Sequence, residues 1–130
     1  MKNKYEAMVL SCIDPRCQSK VRNLLKKKKL INKYSYFTIA GSAIGVTAKE
    51  FKSWHDVFWK NLDISVKIHN IKKLIVLNHS DCGVAKIVNG RKDFSIKNER
   101  KIHEISFKKI KSKLLKKYPN FKIECKIIKV

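Results

Sequence analysis

A histidine and a cysteine stand three positions apart in LIVLNHSDCG, residues 74–83, directly after an apolar run. His79 offers a ring nitrogen and Cys82 a sulfur, and on a turn after a strand both can face one ion. Two ligands do not complete a tetrahedral site. The remaining donors are sought in SCIDPR, residues 11–16, where Cys12, Asp14 and Arg16 follow another apolar run. Two thiolates with one imidazole form a three-ligand zinc set and leave a fourth position for water or a carboxylate. Asp14 is a candidate for that position; paired with Arg16 it is instead a fixed carboxylate beside the ion. Each residue alone has an ordinary explanation. Cys12 reads as a small buried side chain, His79 as a core or loop histidine, and Asp14 with Arg16 as a turn-capping pair. Together, at corresponding ends of two apolar strands, they point to metal.

Positioning them requires that both segments be neighbouring strands of one sheet. Residues 6–13, EAMVLSCI, read as an interior strand ended by Pro15, because proline lacks the amide that a central strand needs. Residues 17–30 read as a helix, with Val21, Leu24 and Leu25 at helical spacing and Lys26, Lys27, Lys28 and Lys29 at its negative end. Residues 36–40, YFTIA, form a second strand, followed by a small-residue segment through Val46. Residues 47–53 read as a loop or a short helical turn. An amphipathic helix comes next, its stripe holding Trp54, Phe58, Leu62, Ser65 and His69 and broadened by Val57, Ile64 and Ile68. Residues 74–78 are a third strand, apolar as in a parallel sheet covered on both faces. A short helix over residues 83–88 follows, with Asp81 as its candidate cap and Asn89-Gly90 as a turn. Residues 96–118 read as a long helix with Phe107, Ile110, Leu114 and Tyr118 inward, and residues 121–130 as a last, edge strand. The alternation predicts an α/β fold: a small, mostly parallel sheet of about four strands flanked by helices, with ligands at the carboxyl ends of the strands.

At 130 residues the chain reads as a single domain, residues 1–130, able to bury a core without disulfides. Its formal net charge is +21, from 31 Lys and Arg against 10 Asp and Glu, yet the arginines are only Arg16, Arg22, Arg91 and Arg100. Sequence-reading nucleic-acid modules lean on the guanidinium fork. The lysines therefore read first as a solvated surface, and nucleic acid is a partner left open but not favoured. No run approaches the roughly 20 apolar residues of a membrane span, and Asp14 interrupts the early apolar stretch, so neither membrane nor secretion is expected. The four cysteines, Cys12, Cys17, Cys82 and Cys125, are then expected in a reducing cytoplasm, where thiols more often bind metal or do chemistry than pair. Cys17, at a helix start, could partner Cys12 in a redox step; Cys125 reads as a buried strand thiol. His55 and His69 read as surface or packing residues, with a proton shuttle as the alternative, and His103 as a member of the long basic helix that needs no function.

The pair of motifs, CxDxR at Cys12, Asp14 and Arg16 and HxxCG at His79, Cys82 and Gly83, resembles the signature of the β-class carbonic anhydrases. Ala40-Gly41 between them extends the likeness, which covers residues 8–88. In particular the chain is similar to a short carbonic-anhydrase-like branch carrying CIDPR. The resemblance implies zinc held by Cys12, His79 and Cys82, an Asp14–Arg16 pair beside it, and a homodimer or higher homo-oligomer. It implies interconversion of carbon dioxide and bicarbonate through a hydroxide held on zinc. Asp14 would accept that hydroxide's proton and aim its lone pair at the carbon, while Arg16 would hold Asp14 ionised. In some members of the family the aspartate binds zinc directly and closes the site.

The chain departs from that pattern in three respects. Ser42 stands where the family commonly has asparagine, the interval from Cys12 to His79 is long, and the chain reads as starting without the helical arm that lines the family's cleft. Two alternatives follow: a zinc module whose basic surface binds polyanions, and a hydrolase of carbon disulfide or carbonyl sulfide using the same hydroxide chemistry. A cysteine phosphatase or reductase built on Cys12 and Arg16 lacks the spacing and glycines of a phosphate-cradling loop.

Overall fold

The structure, a computed structural model, describes residues 4–130. Strands β1 (Ala7–Ser11), β2 (Tyr34–Thr38), β3 (Lys73–His79) and β4 (Lys122–Ile128) form one all-parallel sheet in the order β2-β1-β3-β4. The crossovers carry helices α1 (Gln18–Lys27), α2 (Ala43–Thr47), α3 (Lys52–His69), α4 (Gly83–Asn89) and α5 (Ile96–Lys117). This is the α/β architecture expected from the alternation of elements. β1 and β3 are direct neighbours, Met8 opposite Leu74 and Ser11 opposite Leu77, so their carboxyl ends open at one edge. Among the described residues, no helix is long and apolar enough to cross a membrane.

Side-chain alternation explains why β1 and β3 are apolar throughout. Met8, Leu10, Leu74 and Val76 pack on Phe58 and Leu62 of α3 and on Ile110 and Leu114 of α5. Ala7, Val9, Ile75 and Leu77 pack on Val21 and Leu25 of α1 across the other face. With both faces covered, no strand position in the middle of the sheet can be polar without a partner.

The elements differ from their sequence-based bounds where pairing, not local apolarity, decides. β2 starts two residues before its apolar run, because Tyr34 lies opposite Ala7 and Thr38 opposite Ser11. α1 ends at Lys27; Lys28 caps it, and Lys29 turns into the left-handed region at φ 59°. The small-residue segment after Gly41 is helical, forming α2, and a 3-10 turn over Lys49–Phe51 leads into α3.

α3 is rotated so that Phe58, Trp59, Leu62 and Ser65 face inward. Val57, Ile64 and Ile68 therefore do not broaden the buried stripe; they are 53%, 55% and 66% exposed. Phe58 and Trp59 are buried within this chain, and Trp54 stacks on Phe51 with ring centroids 4.7 Å apart. His55 contacts the Ala48 carbonyl, and His69 meets Ser35 and Tyr5, consistent with packing roles.

Candidate metal centre

Cys12 lies one residue past β1, His79 closes β3, and Cys82 precedes α4. The adjacency of β1 and β3 brings their ligand atoms within 4.8 Å of one another, and all three residues are buried. His79 Nδ1 lies 2.7 Å from the Ser80 carbonyl, to which it donates. That bond leaves Nε2 as the acceptor, aimed at the sulfurs. Nε2 is fully buried and has no hydrogen-bond partner. A buried nitrogen lone pair facing two thiols is the donor set that zinc takes, and the residues present fit that ion.

The thiols are not equivalent. Hydrogen bonding from Cys82 draws the Cys12 thiol down to about 4 against the opposing effect of burial, with His79 and the Gly41 amide adding to the pull. The Gly41 N–H lies 3.2 Å from Cys12 Sγ. Cys82 is pushed up, first by the same bond to Cys12 and then by burial, although the Ala85 and Val84 amides face it and work the other way. Burial pushes His79 toward neutrality, but the Cys12 thiolate and the Ser80 carbonyl outweigh it and raise its pKa.

Gly41 is required where it stands. Its φ is +82°, and an added Cβ would lie 2.5 Å from Val84 Cγ1, so any larger residue would be strained and would force the Val84 side chain or the backbone to shift. The next residue, Ser42, is buried at φ 52° and donates its hydroxyl to the Leu10 carbonyl.

Asp14 stays outside the three-residue cluster and lies on Arg16. Its Oδ1 accepts from the Arg16 amide at 2.9 Å, and its Oδ2 accepts from Nη2 at 2.8 Å. These bonds hold the Asp14 carboxyl down at about 2. The same Oδ2 is 3.7 Å from His79 Nε2, at the edge of the cluster. Arg16 reaches on across the strands, with Nη1 on the Asp81 carboxylate and Nη2 on the Asp81 carbonyl, both at 3.0 Å. Asp81 is thus not the cap of α4: the cap position is Cys82, with no side-chain bond of its own, and the Asp81 carboxylate points outward to Arg16.

A cleft of about 580 Å³ opens onto this cluster, lined by Cys12, Asp14, His79 and Cys82 together with apolar Ala40 and Val84. All four cysteines are free thiols. Cys17 is buried beside Cys12's strand, and burial raises its thiol to about 11, which leaves it unreactive near neutrality. Cys125 is half-buried against the core on β4.

Two residues here escape a reading by motif. The Glu99 carboxylate accepts the Asp81 and Cys82 amides at 3.1 and 2.9 Å, which supplies the cap expected of Asp81. His103, expected to be a functionless member of the long basic helix, is buried between Glu99 and Asn78. A signal for them exists. Glu99, His103, Ser106, Ile110 and Leu114 recur at three- and four-residue steps, so the inward stripe of α5 turns polar where it approaches the loop between His79 and Cys82.

A parallel α/β sheet with a thiolate–imidazole cluster at its strand ends defines a carbonic-anhydrase-like protein. The family described as "Putative carbonic anhydrase" matches residues 1–129, and the chain belongs to it. Two uncharacterized rickettsial proteins are similar in sequence. RC0076 of Rickettsia conorii is 24% identical over 122 residues, 93% of this chain and 66% of its own length. The Rickettsia bellii protein is 24% identical over the same share of this chain and 74% of its own. The chain thus spans just under two thirds of the first relative. Among solved structures, the β-carbonic anhydrase CafA of Aspergillus fumigatus matches with a TM-score of 0.58 at 11% identity, covering 98% of this chain and 72% of that one. A carbonic anhydrase from Glaciozyma antarctica matches with 0.54 at 16% identity, covering 99% and 79%. At such identities the likeness is one of fold.

Proposed function

We propose that the chain is a zinc-dependent hydratase interconverting carbon dioxide and bicarbonate, with Cys12, His79 and Cys82 holding the metal and Asp14 and Arg16 working beside it. The observation that carries this reading is the buried, unpartnered Nε2 of His79 facing two cysteine sulfurs at the floor of an open cleft. A zinc ion held there supplies Lewis acidity that brings the pKa of a water from about 16 to about 7.

The chain's own residues do the rest. Asp14, kept ionised by Arg16, accepts a hydrogen bond from the attacking water and so fixes the direction of its free lone pair. Arg16 occupies both carboxylate oxygens, which favours Asp14 as this orienting acceptor over Asp14 as a fourth ligand. Ile13, Ala40, Val84 and Ile87 give the cleft apolar walls suited to a small linear substrate and unfavourable to excess water. Carbon disulfide and carbonyl sulfide fit the same walls, so they belong in the assay.

The reading includes a homo-oligomer in a reducing cytoplasm. The outward Val57, Ile64 and Ile68 of α3 support burial against a second copy, and the free thiols support the compartment. Exposed lysines stand on α1, α3, α4 and α5 alike, which supports a solvated exterior over one polyanion-binding face.

The test is metal analysis with stopped-flow hydration on zinc-loaded protein. We expect one zinc per chain and hydration well above the buffer rate. Zinc without turnover of any of the three substrates would overturn the hydratase reading and spare the metal site. Cys82→Ser is expected to lose most of the metal; full retention would remove Cys82 from the ligand set.

A further inference from the structure

The loop from Ser80 to Cys82 carries one ligand at its end and follows another directly. Asp81 sits in the left-handed region at φ 53°, which turns the successive Asp81 and Cys82 amides toward a common point, the geometry of an anion-binding nest. The anion in it is a side chain of the same protein. Glu99 Oε1 accepts from Asp81 and Oε2 from Cys82. Glu99 does not line the metal cleft. It borders a separate cavity of about 140 Å³ shared with Ser80, His103 and Ile127.

Glu99 is itself held by a chain of bonds whose direction can be assigned. The Ala43 amide donates to Asn78 Oδ1 at 3.1 Å, which fixes the orientation of the Asn78 amide. Asn78 Nδ2 must then donate to His103 Nδ1, 2.8 Å away, so His103 carries its proton on Nε2 and donates to Glu99 Oε2 at 3.1 Å. The side chain of His103 is 1% exposed and that of Glu99 12%. Asn78 directly precedes His79. The sequence of bonds therefore runs from one end of the metal loop, through α5, to the other.

We propose that Glu99, locked by His103 and Asn78, is a positioning residue that sets the separation of His79 and Cys82 and thereby the metal affinity; this rests on the metal site proposed above. The clamp on the cleft side, Arg16 to Asp81, is exposed on both partners and contributes little by comparison. Glu99→Gln keeps the size but replaces one accepting oxygen with an amino group. At the Oε1 position that group meets the Asp81 N–H, and at the Oε2 position it meets both the Cys82 N–H and the His103 N–H. His103 cannot adapt by moving its proton, because Nδ1–H would then face the Asn78 amino group.

Zinc affinity by chelator competition and the thiolate-to-metal absorption of the cobalt-substituted protein test this. Glu99→Gln and His103→Phe are each expected to weaken zinc binding by about 10- to 100-fold and to alter the cobalt spectrum. His103→Gln, whose amide nitrogen stands near the Nε2 position and donates, should restore wild-type affinity to within a few-fold. The exposed Glu104→Gln on the same helix should match the wild type. Circular dichroism of the metal-free proteins checks the fold, and the His103 pair decides the matter if Glu99→Gln does not fold. Glu99→Gln with a lowered melting temperature but wild-type affinity and cobalt spectrum would overturn the inference and leave the metal site standing. So would His103→Gln and His103→Phe behaving alike. A wild-type protein that takes up neither ion would overturn the metal reading and this inference with it.

Discussion

Zinc and protons would compete for the sulfurs and the ring nitrogen of the Cys12, His79 and Cys82 cluster. Cys12 is drawn toward the thiolate by its hydrogen bond from Cys82, and the same bond pushes the Cys82 thiol up. Zinc needs both sulfurs deprotonated and His79 neutral, so protons and metal compete for the same atoms. The sign follows: lowering pH adds protons to the metal-free state only, and affinity must fall as pH falls. Titration calorimetry in buffers of different ionisation enthalpy should show protons released as zinc binds. A binding constant flat from pH 6 to 8 would contradict this. The Asp14–Arg16 pair behaves differently. With its carboxyl held down at about 2, Asp14 keeps its charge through that whole range, and any pH dependence there belongs to the ligands.

At the scale of elements, α3 shows how a single helix carries two apolar surfaces. Phe58 is fully buried, edge-on to Phe37 at 5.4 Å and to Trp59 at 4.9 Å between ring centroids. Phe58→Ala leaves a cavity over β1 and β2 and should cost about 3–5 kcal/mol in urea unfolding. Ile64→Ala on the opposite side should stay within about 0.5 kcal/mol for the isolated chain. If Ile64→Ala instead costs as much as a core change, and the cost depends on protein concentration, that face is buried by a second copy. The edge strand β4 is fastened by charge as well as by its ladder, with Glu124 between Lys28 of α1's end and Lys73 of β3 at 2.6 and 3.1 Å. Lysines at 122, 126 and 129 also discourage further strands from adding to that edge.

For the molecule as a whole, a net charge of +21 sets a repulsive background. Attractive pairs are few against it, and most of those found are partly exposed. Raising salt from about 10 mM to about 150 mM shortens the screening length from about 30 Å to about 8 Å. Relief of repulsion should therefore outweigh the weakened pairs, and Tm should rise by about 2–6 °C. An unchanged or lower Tm would mean that the pairs matter more than their exposure implies.

Strand periodicity and motif spacing are local properties, so much of this protein is readable before folding. The apolar runs at 6–13 and 74–78 are enough to predict parallel strands with ligands at their carboxyl ends, which meet if the two strands are neighbours. The fold shares that arrangement, and it brings Cys12, His79 and Cys82 together. Other features depend on contacts between distant segments. The start of β2 depends on its pairing with Ala7, and the facing of α3 on which side meets the sheet. Asp81 has the chemistry of a helix cap, yet Arg16, 65 positions away, takes its carboxylate and Glu99 takes the amides that it would have served. Glu99 and His103 look like ordinary members of a lysine-rich helix until α5 is laid against the end of β3. There burial disfavours an unpaired polar group, and each becomes tied by hydrogen bonds to the segment from Asn78 to Cys82.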